Sequence, residues 1–551
     1  MKTFQPKFFS IFKGYGKKKL INDIVAGIIV AIIALPLSIA LAIASGVGPE
    51  KGLYTAIIAG FVISFMGGSN VNISGPTAAF ATLVAGIVAT EGIDGLAIAT
   101  VMAGIFLILF GVLRLGSLIK YIPHTITVGF TSGIAVTIVI GQLKDLFGIS
   151  YPAGTNAIEA PEKILALFEN ISTFNYRSFL VGAVALAILI LWPKVSKKIP
   201  GSLIVVLLGS LAVGLLSLNV NTIGDLYSIS SSLPSPSLPK LSLERIIHLL
   251  PNAFTIALLA AIESLLSCVV SDGMINDRHN SNTELIAQGA GNICSGIFGG
   301  IPATGAIART AANVKNGGRT PVSGMVHAVT LLLVLLVLMP YASFIPMPVI
   351  AAILLMVAYN MSEWRKFIRI CKTAPISDVI ILVTTFVLTV IFDLVVAIAV
   401  GLILTAFIFL KKSADMSEVR QWDSSVPNGR GKEIPYGVVV YEINGPMFFA
   451  TSDKYMNFPI YKDTKIMIVR MSGVPSIDSS AVSNIENLCS FCQHHGVELI
   501  FSHVNPQPME IFRKYDLIEE IGADRFSANI DDAIDLATRL MKMEEIHTEN
   551  D

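Results

Sequence analysis

The sequence predicts an α-helical polytopic membrane protein that ends in a soluble α/β domain. Composition is the first reason: 53% of the 551 residues are hydrophobic, 14% are charged and the mean hydropathy is +0.70, too apolar for an ordinary soluble protein. The second reason is a series of apolar stretches that recurs up to residue 411, and the third is a polar composition after Lys412. The net charge is zero, so nothing indicates nucleic acid as a partner.

A basic N-terminal segment, residues 1–20, contains six lysines and no acidic residue. The apolar stretch that follows, residues 24–44, is too long for the apolar part of a signal peptide and lacks an obvious cleavage site. It is therefore predicted as the first spanning helix of an inner-membrane protein. Because basic segments are held on the cytoplasmic side, the N-terminus is predicted to be cytoplasmic.

The predicted transmembrane domain, residues 21–412, contains fourteen apolar stretches. Each is predicted to cross the membrane or to end within it. They divide into two repeats of seven, about 21–220 and 250–412, around a loop rich in Ser and Pro. The short stretches 53–66 and 304–316 are predicted as half-helices or re-entrant segments and not as full spans. An even total places both termini on one side, and basic residues at the predicted inner edges make that side cytoplasmic. The stretches cover residues 24–45, 53–66, 74–90, 96–113, 122–141, 177–192, 201–218, 252–272, 284–299, 304–316, 321–342, 346–360, 376–393 and 395–411.

Two segments rich in glycine occupy corresponding positions in the two halves. They are GGSNVNISGPTAA, residues 67–79, and GGIPATGAIARTAAN, residues 299–313. An odd number of helices per repeat makes the repeats inverted. Broken helices at equivalent points direct N–H groups and a positive dipole end toward the bilayer midplane, which suits an anion. The alternative is that these small residues only let helices pack closely.

Two ionisable residues stand within the apolar sequence of the second half. Glu263 lies in AIALLAAIESLLSCVV, where a carboxyl group costs about 2.5–3.5 kcal/mol unless it faces a cavity or a partner. It is predicted to carry a proton, or to bind a cation together with Ser267 on the same helix face. Arg309 follows the second broken segment and is a candidate partner for an anion or for Glu263. The alternatives are a structural carboxyl group and an arginine that reaches the lipid headgroups.

Other reactive residues are not predicted to form a site. Cys489 and Cys492 precede His494 and His495, but one C-x-x-C pair inside a helix is weak evidence for a metal, and none is predicted. His124, His279 and His327 are predicted to lie at helix ends or in loops without a functional role. The chain lacks a nucleophile with a matching base and orienting group, so it is predicted not to be an enzyme.

The polar C-terminal part alternates strands with helices, which predicts an α/β layer fold. A linker, 413–435, precedes the domain, 436–545, and a tail, 546–551, follows it. The predicted strands are 437–443, 465–471 and 498–502, and the predicted helices are 479–494, 508–515 and 530–543.

Five runs carry a resemblance to a known family: SGPTAAFATLVAGIV, YIPHTITVGFTSGIAVTI, IESLLSCVVSDGM, ELIAQGAGNICSGIFGGIPATGAIARTAANV and LLMVAYNMSEW. Together they resemble the SulP family of anion transporters, and within it the bacterial branch that includes C4-dicarboxylate transporters. The tail is similar to the STAS domain of that family, with IDSSA, residues 477–481, at its D-S-S/T-G motif. The resemblance implies seven-plus-seven inverted repeats, a core domain that moves like an elevator against a gate domain, and a homodimer.

The resemblance also implies where ligands bind. It places an anion between the two broken segments, with a coupling ion at Glu263 and Ser267. Sodium-coupled bicarbonate members carry a hydroxyl group at the position of Ile307, so a proton is favoured over sodium. Ser479 would be the regulatory phosphorylation site, although Ala481 replaces the closing glycine and disfavours that role. The implied substrate-binding residues are Leu37, Leu41, Gly75, Pro76, Thr77, Thr304, Gly305, Ala306, Ile307, Ala308 and Arg309.

The expected function is secondary active transport of a small anion, such as a C4-dicarboxylate, sulfate or bicarbonate, by proton symport or anion exchange. No cofactor is expected, and the STAS domain is expected to act in assembly or to bind a cytoplasmic protein. Three alternatives stay open: a channel-like anion conductor, a nucleobase permease of the same fold, and an anion receptor that signals through the tail.

Overall fold

The computed structural model describes residues 4–10, 15–117, 123–152, 157, 159–196, 199–237, 242–392, 394–422, 433–451 and 458–548. The chain forms two compact units, Met1–Leu402 and Ile403–Asp551. The first consists of helices with one very short sheet, and the second contains a five-stranded sheet.

The helices of the first half follow the predicted apolar stretches, although 74–90 and 96–113 lie largely in one helix, and short helices are added at residues 160–169 and 223–226. They are α1 (Lys17–Ala44), α2 (Pro49–Met66), α3 (Ala81–Val112), α4 (His124–Phe147), α5 (Ala160–Glu169), α6 (Tyr176–Val195), α7 (Gly201–Leu215) and α8 (Ile223–Leu226).

The second half follows the same order. Its helices are α9 (Leu243–Ile275), α10 (Ser281–Ile297), α11 (Ile307–Lys315), α12 (Val322–Leu338), α13 (Met347–Met361), α14 (Trp364–Thr373), α15 (Ile376–Ile391) and α16 (Leu394–Asp415). Two-residue strands, β1 (Ser74–Gly75) and β2 (Thr304–Gly305), precede α3 and α11.

Eight helical segments of the described residues are long and apolar enough to cross a membrane, and α7 and α15 are shorter apolar helices. The predicted helical, multi-pass membrane architecture is therefore confirmed. The total of fourteen crossings stays a prediction.

One of the two half-helix predictions was wrong. The stretch 53–66 belongs to α2, which has 18 residues and is about 27 Å long. Its polar first turn begins with Pro49 and Glu50, residues that favour a helix start but do not look apolar. The true half-helices follow the short strands: α11 has nine residues, and α3 is interrupted at Gly92, whose φ is 70° and ψ −171°.

Close packing of α3 against α10 depends on glycine. A Cβ atom on Gly104 would lie 2.6 Å from the carbonyl oxygen of Gly289, and a Cβ atom on Gly289 would lie 2.5 Å from the carbonyl oxygen of Gly104. Both distances are too short for any other residue, so this pair fixes how near the two backbones come. The contact holds the polar face of α10 beside the two short strands.

The second unit is the predicted α/β domain. Its sheet has the order β3-β4-β5-β6-β7, in which β3 is antiparallel to β4 and the other neighbours are parallel. Two predicted elements have the observed bounds, and the others differ by a few residues at their ends. The elements are β3 (Glu418–Gln421), β4 (Val438–Asn444), β5 (Ile466–Gly473), α17 (Ser479–His494), β6 (Glu498–Ser502), α18 (Pro506–Lys514), α19 (Leu517–Ile521), β7 (Phe526–Ser527) and α20 (Ile530–Thr548).

The predicted linker, 413–435, needs a correction. The helix α16 continues to Asp415, and Glu418–Gln421 is the edge strand β3 rather than part of a connection. The sequence EVRQ hid this strand because Val419 is its only apolar residue, so no alternating pattern is visible. Residues 423–432 of the predicted linker lie outside the described residues.

The paired cysteines of the second unit lie in its hydrophobic core. Cys489 and Cys492 both face the core from α17. Burial raises the pKa of the Cys489 thiol to about 12 and that of the Cys492 thiol to about 11. Both sulfur atoms are therefore protonated at neutral pH and are poor nucleophiles. This environment explains the C-x-x-C pair as core packing.

Candidate functional site

The two broken segments meet in space. Strand β1 pairs antiparallel with β2, so that Ser74 is opposite Gly305 and Gly75 is opposite Thr304. All four residues are buried. The pairing satisfies backbone groups that helix interruption would leave exposed to the bilayer interior, and it brings the starts of the half-helices from the two repeats to one place.

Arg309 lies beside this junction and is only 3% exposed. One guanidinium nitrogen, Nη2, donates to the carbonyl oxygen of Pro76 at 3.1 Å and to the hydroxyl oxygen of Ser38 at 3.4 Å. The other, Nη1, is buried and has no hydrogen-bond acceptor in the described part of the chain. Arg309 therefore does not extend to the lipid headgroups, and its Nη1 can still donate a hydrogen bond to a ligand.

Gly75 makes room for that guanidinium group. A Cβ atom at this position would lie 2.5 Å from Nη1 of Arg309. A larger residue here would displace the end of the arginine side chain from its observed position. The glycine predicted to bind an anion thus leaves the space in which the guanidinium group lies.

The predicted coupling carboxyl group contacts the residue that follows Pro76. Glu263 in α9 accepts a hydrogen bond from the Thr77 hydroxyl at 2.9 Å. Arg309 contacts Pro76 and Glu263 contacts Thr77, so neighbouring residues link the two ionisable groups. Glu263 and Arg309 do not form an ion pair in the described structure, and the sequence-based alternative of such a pair was wrong.

Ser267 joins a different set of contacts. Its hydroxyl donates to Asn72 Oδ1 at 2.7 Å and to Thr310 Oγ1 at 3.1 Å. Thr310 Oγ1 also donates to Asn72 Oδ1 at 3.0 Å and accepts from the backbone N–H of Ile73. These bonds connect α9, α11 and the segment before β1. Ser267 is thus engaged in holding the junction together.

Glu284 in α10 is a polar residue of the site that the sequence analysis missed. It is 1% exposed, and its carboxylate accepts five hydrogen bonds at 2.8–3.3 Å. Every partner is a donor, which is what an ionised carboxylate requires. Glu284 stands in the first turn of its helix, where an acid ordinarily complements the helix dipole, so its position did not suggest a buried role. The donors are the backbone N–H groups of Gly68 and Ser69 and the side chains of Asn72, Ser264 and Gln288.

The remaining predicted residues differ in exposure. Thr304 uses its hydroxyl to bond the carbonyl oxygen of Ala260. Ile307 and Ala308 are exposed, and Ile307 retains 43% of its surface. Pro76 and Gly305 are buried, whereas Thr77 and Ala306 are partly exposed.

The first helix contributes a different residue from the two predicted. Leu41 is only 4% exposed, and Leu37 packs partly against a cluster that includes Ala185 and Val349. Ser38, between them, is the residue of α1 that reaches Arg309. Ser38 follows Leu37 directly, and nothing in the sequence indicated that its hydroxyl group would contact Arg309.

The prediction for His327 was also wrong. It lies within α12 and is fully buried, and neither ring nitrogen has a hydrogen-bond partner in the described structure. His279, by contrast, contacts Asp272 at 2.7 Å after the end of α9. The predicted apolar stretch 321–342 already contained His327, so the hydrophobic pattern, and not the residue type, indicated its place inside a helix.

Comparison with known proteins identifies the family. The sequence profile of the Sulfate permease family matches residues 20–385, and that of the STAS domain matches residues 431–533. The chain belongs to the Sulfate permease family. The predicted resemblance to SulP transporters with a STAS domain is confirmed, and this family consists of anion transporters and not of enzymes.

Individual relatives agree over most of their length. YvdB of Bacillus subtilis (strain 168), a protein named for sulfate transport, is 40% identical over 94% of this chain and 98% of its own. The bicarbonate transporter BicA of Picosynechococcus sp. is 31% identical over 85% of each chain. The structure of the murine anion transporter Slc26a9 has a TM-score of 0.87, with 18% identity over 97% of this chain and 94% of that one, and shows the same fold. The chain is thus a multi-pass membrane transporter of anions.

Proposed function

We propose that this chain is a secondary active transporter that binds a small oxyanion or C4-dicarboxylate at the β1–β2 junction. The observation that carries the proposal is the unpaired Nη1 of Arg309, buried where two half-helices begin. A guanidinium N–H group and backbone N–H groups together recognise negative charge before they recognise shape. Sulfate, bicarbonate and succinate are therefore the candidates, and the names of two relatives, YvdB and BicA, support the first two.

We infer that Glu263 couples a proton to the anion. Pro76 contacts the arginine and Thr77 contacts the carboxyl group, so a charge on Glu263 acts on an anion bound beside Arg309. Protonation of Glu263 removes a negative charge from that neighbourhood. Proton and anion then favour each other's binding, as reciprocal linkage requires. Exchange of one anion for another is the second mode that the same site supports.

The residue at position 307 favours a proton over sodium. Sodium needs several oxygen ligands, and Ile307 offers only its backbone oxygen. Ser267, the other hydroxyl group predicted for a cation, already donates to Asn72 and Thr310. A hydrogen ion needs no such ligand set.

The broader arrangement follows the family resemblance. We propose that the transporter works by an elevator movement of a core domain, assembles as a homodimer in the cell inner membrane, and keeps both termini in the cytoplasm. The STAS domain then faces cytoplasmic proteins. Ser479 is exposed at the first position of α17, where a kinase would reach it, although Ala481 disfavours that role.

Uptake into proteoliposomes tests the proposal. Purified protein is reconstituted, and accumulation of radiolabelled sulfate, bicarbonate and succinate is measured with and without an inward proton gradient. We expect at least one anion to accumulate with the gradient, and we expect trans-loaded anion to accelerate its entry. Flux without acceleration by trans anion would support the channel alternative. Uptake of uracil in place of anions would support the permease alternative, and anion binding without any flux would support the receptor alternative.

A further inference from the structure

One short helix of the membrane unit has a pattern that the transport proposal does not use. In α14, apolar residues recur at 364, 367, 368 and 371, the spacing of a single helix face. Arg365, Arg369 and Lys372 recur at the same spacing beside that face. The ten-residue helix contains four basic residues and no acidic one.

The surroundings of α14 place it at the membrane surface. It connects two apolar helices, α13 and α15, and its own residues are not buried in the protein. Phe367 packs on Phe386 of α15 with ring centroids 5.2 Å apart, whereas Trp364 is 43% exposed and Ile368 is 42% exposed. An amphipathic helix between two membrane helices, with exposed apolar residues on one face, lies in the interface between lipid and water.

The charged face is free to meet a partner. Arg365, Arg369 and Lys372 are exposed, and no salt bridge occupies them within the described part of the chain. Lys366 differs, since it pairs with Glu363 at 2.7 Å. Arg365 also lies 5.4 Å from the ring centre of Trp364, within range of a cation–π contact.

The corresponding helix of the first half carries the opposite charge. Helix α5 follows α4 as α14 follows α13, and it contains Glu162 and Glu169 with Glu159 at its cap and Lys163 as its only base. Inverted repeats place these two helices on opposite membrane faces. The positive-inside rule then assigns α14 to the cytoplasmic face, where anionic lipids concentrate.

We propose that α14 is an interfacial helix that binds anionic phospholipid headgroups through Arg365, Arg369 and Lys372. The apolar face, with Trp364 and Ile368, enters the acyl region, and the basic face contacts lipid phosphates. Charge complementarity selects an anionic leaflet as the partner. This assignment does not depend on which anion is transported.

Energy transfer from Trp364 to labelled lipid tests the proposal in the full-length protein. The chain has three tryptophans, so Trp192→Phe and Trp422→Phe leave Trp364 as the donor. Vesicles of phosphatidylcholine contain a trace of dansyl-phosphatidylglycerol or of dansyl-phosphatidylcholine. We expect several-fold more transfer to the anionic probe than to the zwitterionic one, with the difference reduced by added salt.

Matched variants assign that preference to the helix. Arg365→Gln with Arg369→Gln and Lys372→Gln is expected to equalise transfer to the two probes. Removal of three exposed charges elsewhere, by Arg420→Gln, Lys462→Gln and Arg513→Gln, is expected to leave the preference intact. Arg365→Lys with Arg369→Lys, which preserves charge, should retain it and serves if the neutral variant fails to reconstitute. Equal transfer in the parent protein, a preference that survives charge removal in α14, or a loss in the distant control would overturn the proposal.

Discussion

Two carboxyl groups lie near the junction of the half-helices, and their surroundings are very different. Glu284 is almost fully buried and accepts five hydrogen bonds. Glu263 is partly exposed, and Thr77 supplies the hydrogen bond recorded for its side chain. A carboxylate held by five donors is fixed in its position, whereas one with few donors is free to change partners. Glu284, which accepts more hydrogen bonds, therefore stabilises the fold. Glu263, which accepts fewer, is the candidate for coupling.

The largest expected effect is loss of stability on replacing Glu284. Glu284→Ala removes the shared acceptor of five buried donors, and leaving even one buried donor unsatisfied costs about 1–3 kcal/mol. We expect the thermal midpoint of the purified protein to fall sharply, as measured by size-exclusion fluorescence after heating. Glu263→Ala is the matched control and is expected to change the midpoint much less. Equal destabilisation by the two variants would break the comparison.

The next effect is on anion affinity through Arg309. Arg309→Lys keeps the charge but cannot supply Nη1 and Nη2 to different partners at once. Loss of a charge-assisted hydrogen bond of about 1.5–3 kcal/mol weakens binding roughly 10–150-fold. The apparent KM for uptake should rise accordingly, with thermal stability reduced only modestly. An unchanged KM would place the anion away from this guanidinium group.

A more selective effect is expected for Glu263→Gln. The amide cannot exchange a proton, so the gradient should no longer drive accumulation, while exchange of internal for external anion continues. The coupling energy between two linked ligands is typically about 1–3 kcal/mol, so accumulation should fall roughly 5–150-fold. Parallel assays of net uptake and exchange separate the two modes. If the Glu263→Gln variant still accumulates anion in response to the proton gradient, another group must couple the proton.

The smallest effect is expected at Thr77. Thr77→Val removes one hydroxyl donor from Glu263 and should change the pH midpoint of uptake and lower its rate about fivefold, since one hydrogen bond contributes about 1 kcal/mol. Thr77→Ser retains the hydroxyl group and should behave like the parent protein. If valine and serine variants transport alike, the hydrogen bond at 2.9 Å has no part in coupling.

Sequence patterns predicted the framework well and the polar contacts poorly. Apolar runs located the main helices because a helix needs about 20 apolar residues to cross the hydrocarbon core of the membrane. The repeated segments with Gly and Pro located the junction. Patterns could not show that Ser38 reaches Arg309, or that Glu284 is buried, because those facts depend on which faces of distant helices meet. Strand β3 was hidden by its brevity. Charge, length and periodicity are local properties, whereas hydrogen-bond partners more than 200 residues apart are not.

The β1–β2 pairing also sets a condition on biogenesis. The backbone groups of Ser74 and Gly75 have their partners in Thr304 and Gly305, which a ribosome makes roughly 10–50 seconds later at ordinary elongation rates. During that interval the first broken helix presents open peptide groups to the insertion machinery or to water. A ribosome stalled before residue 304 would therefore leave an inserted chain in which strand β1 has no partner strand.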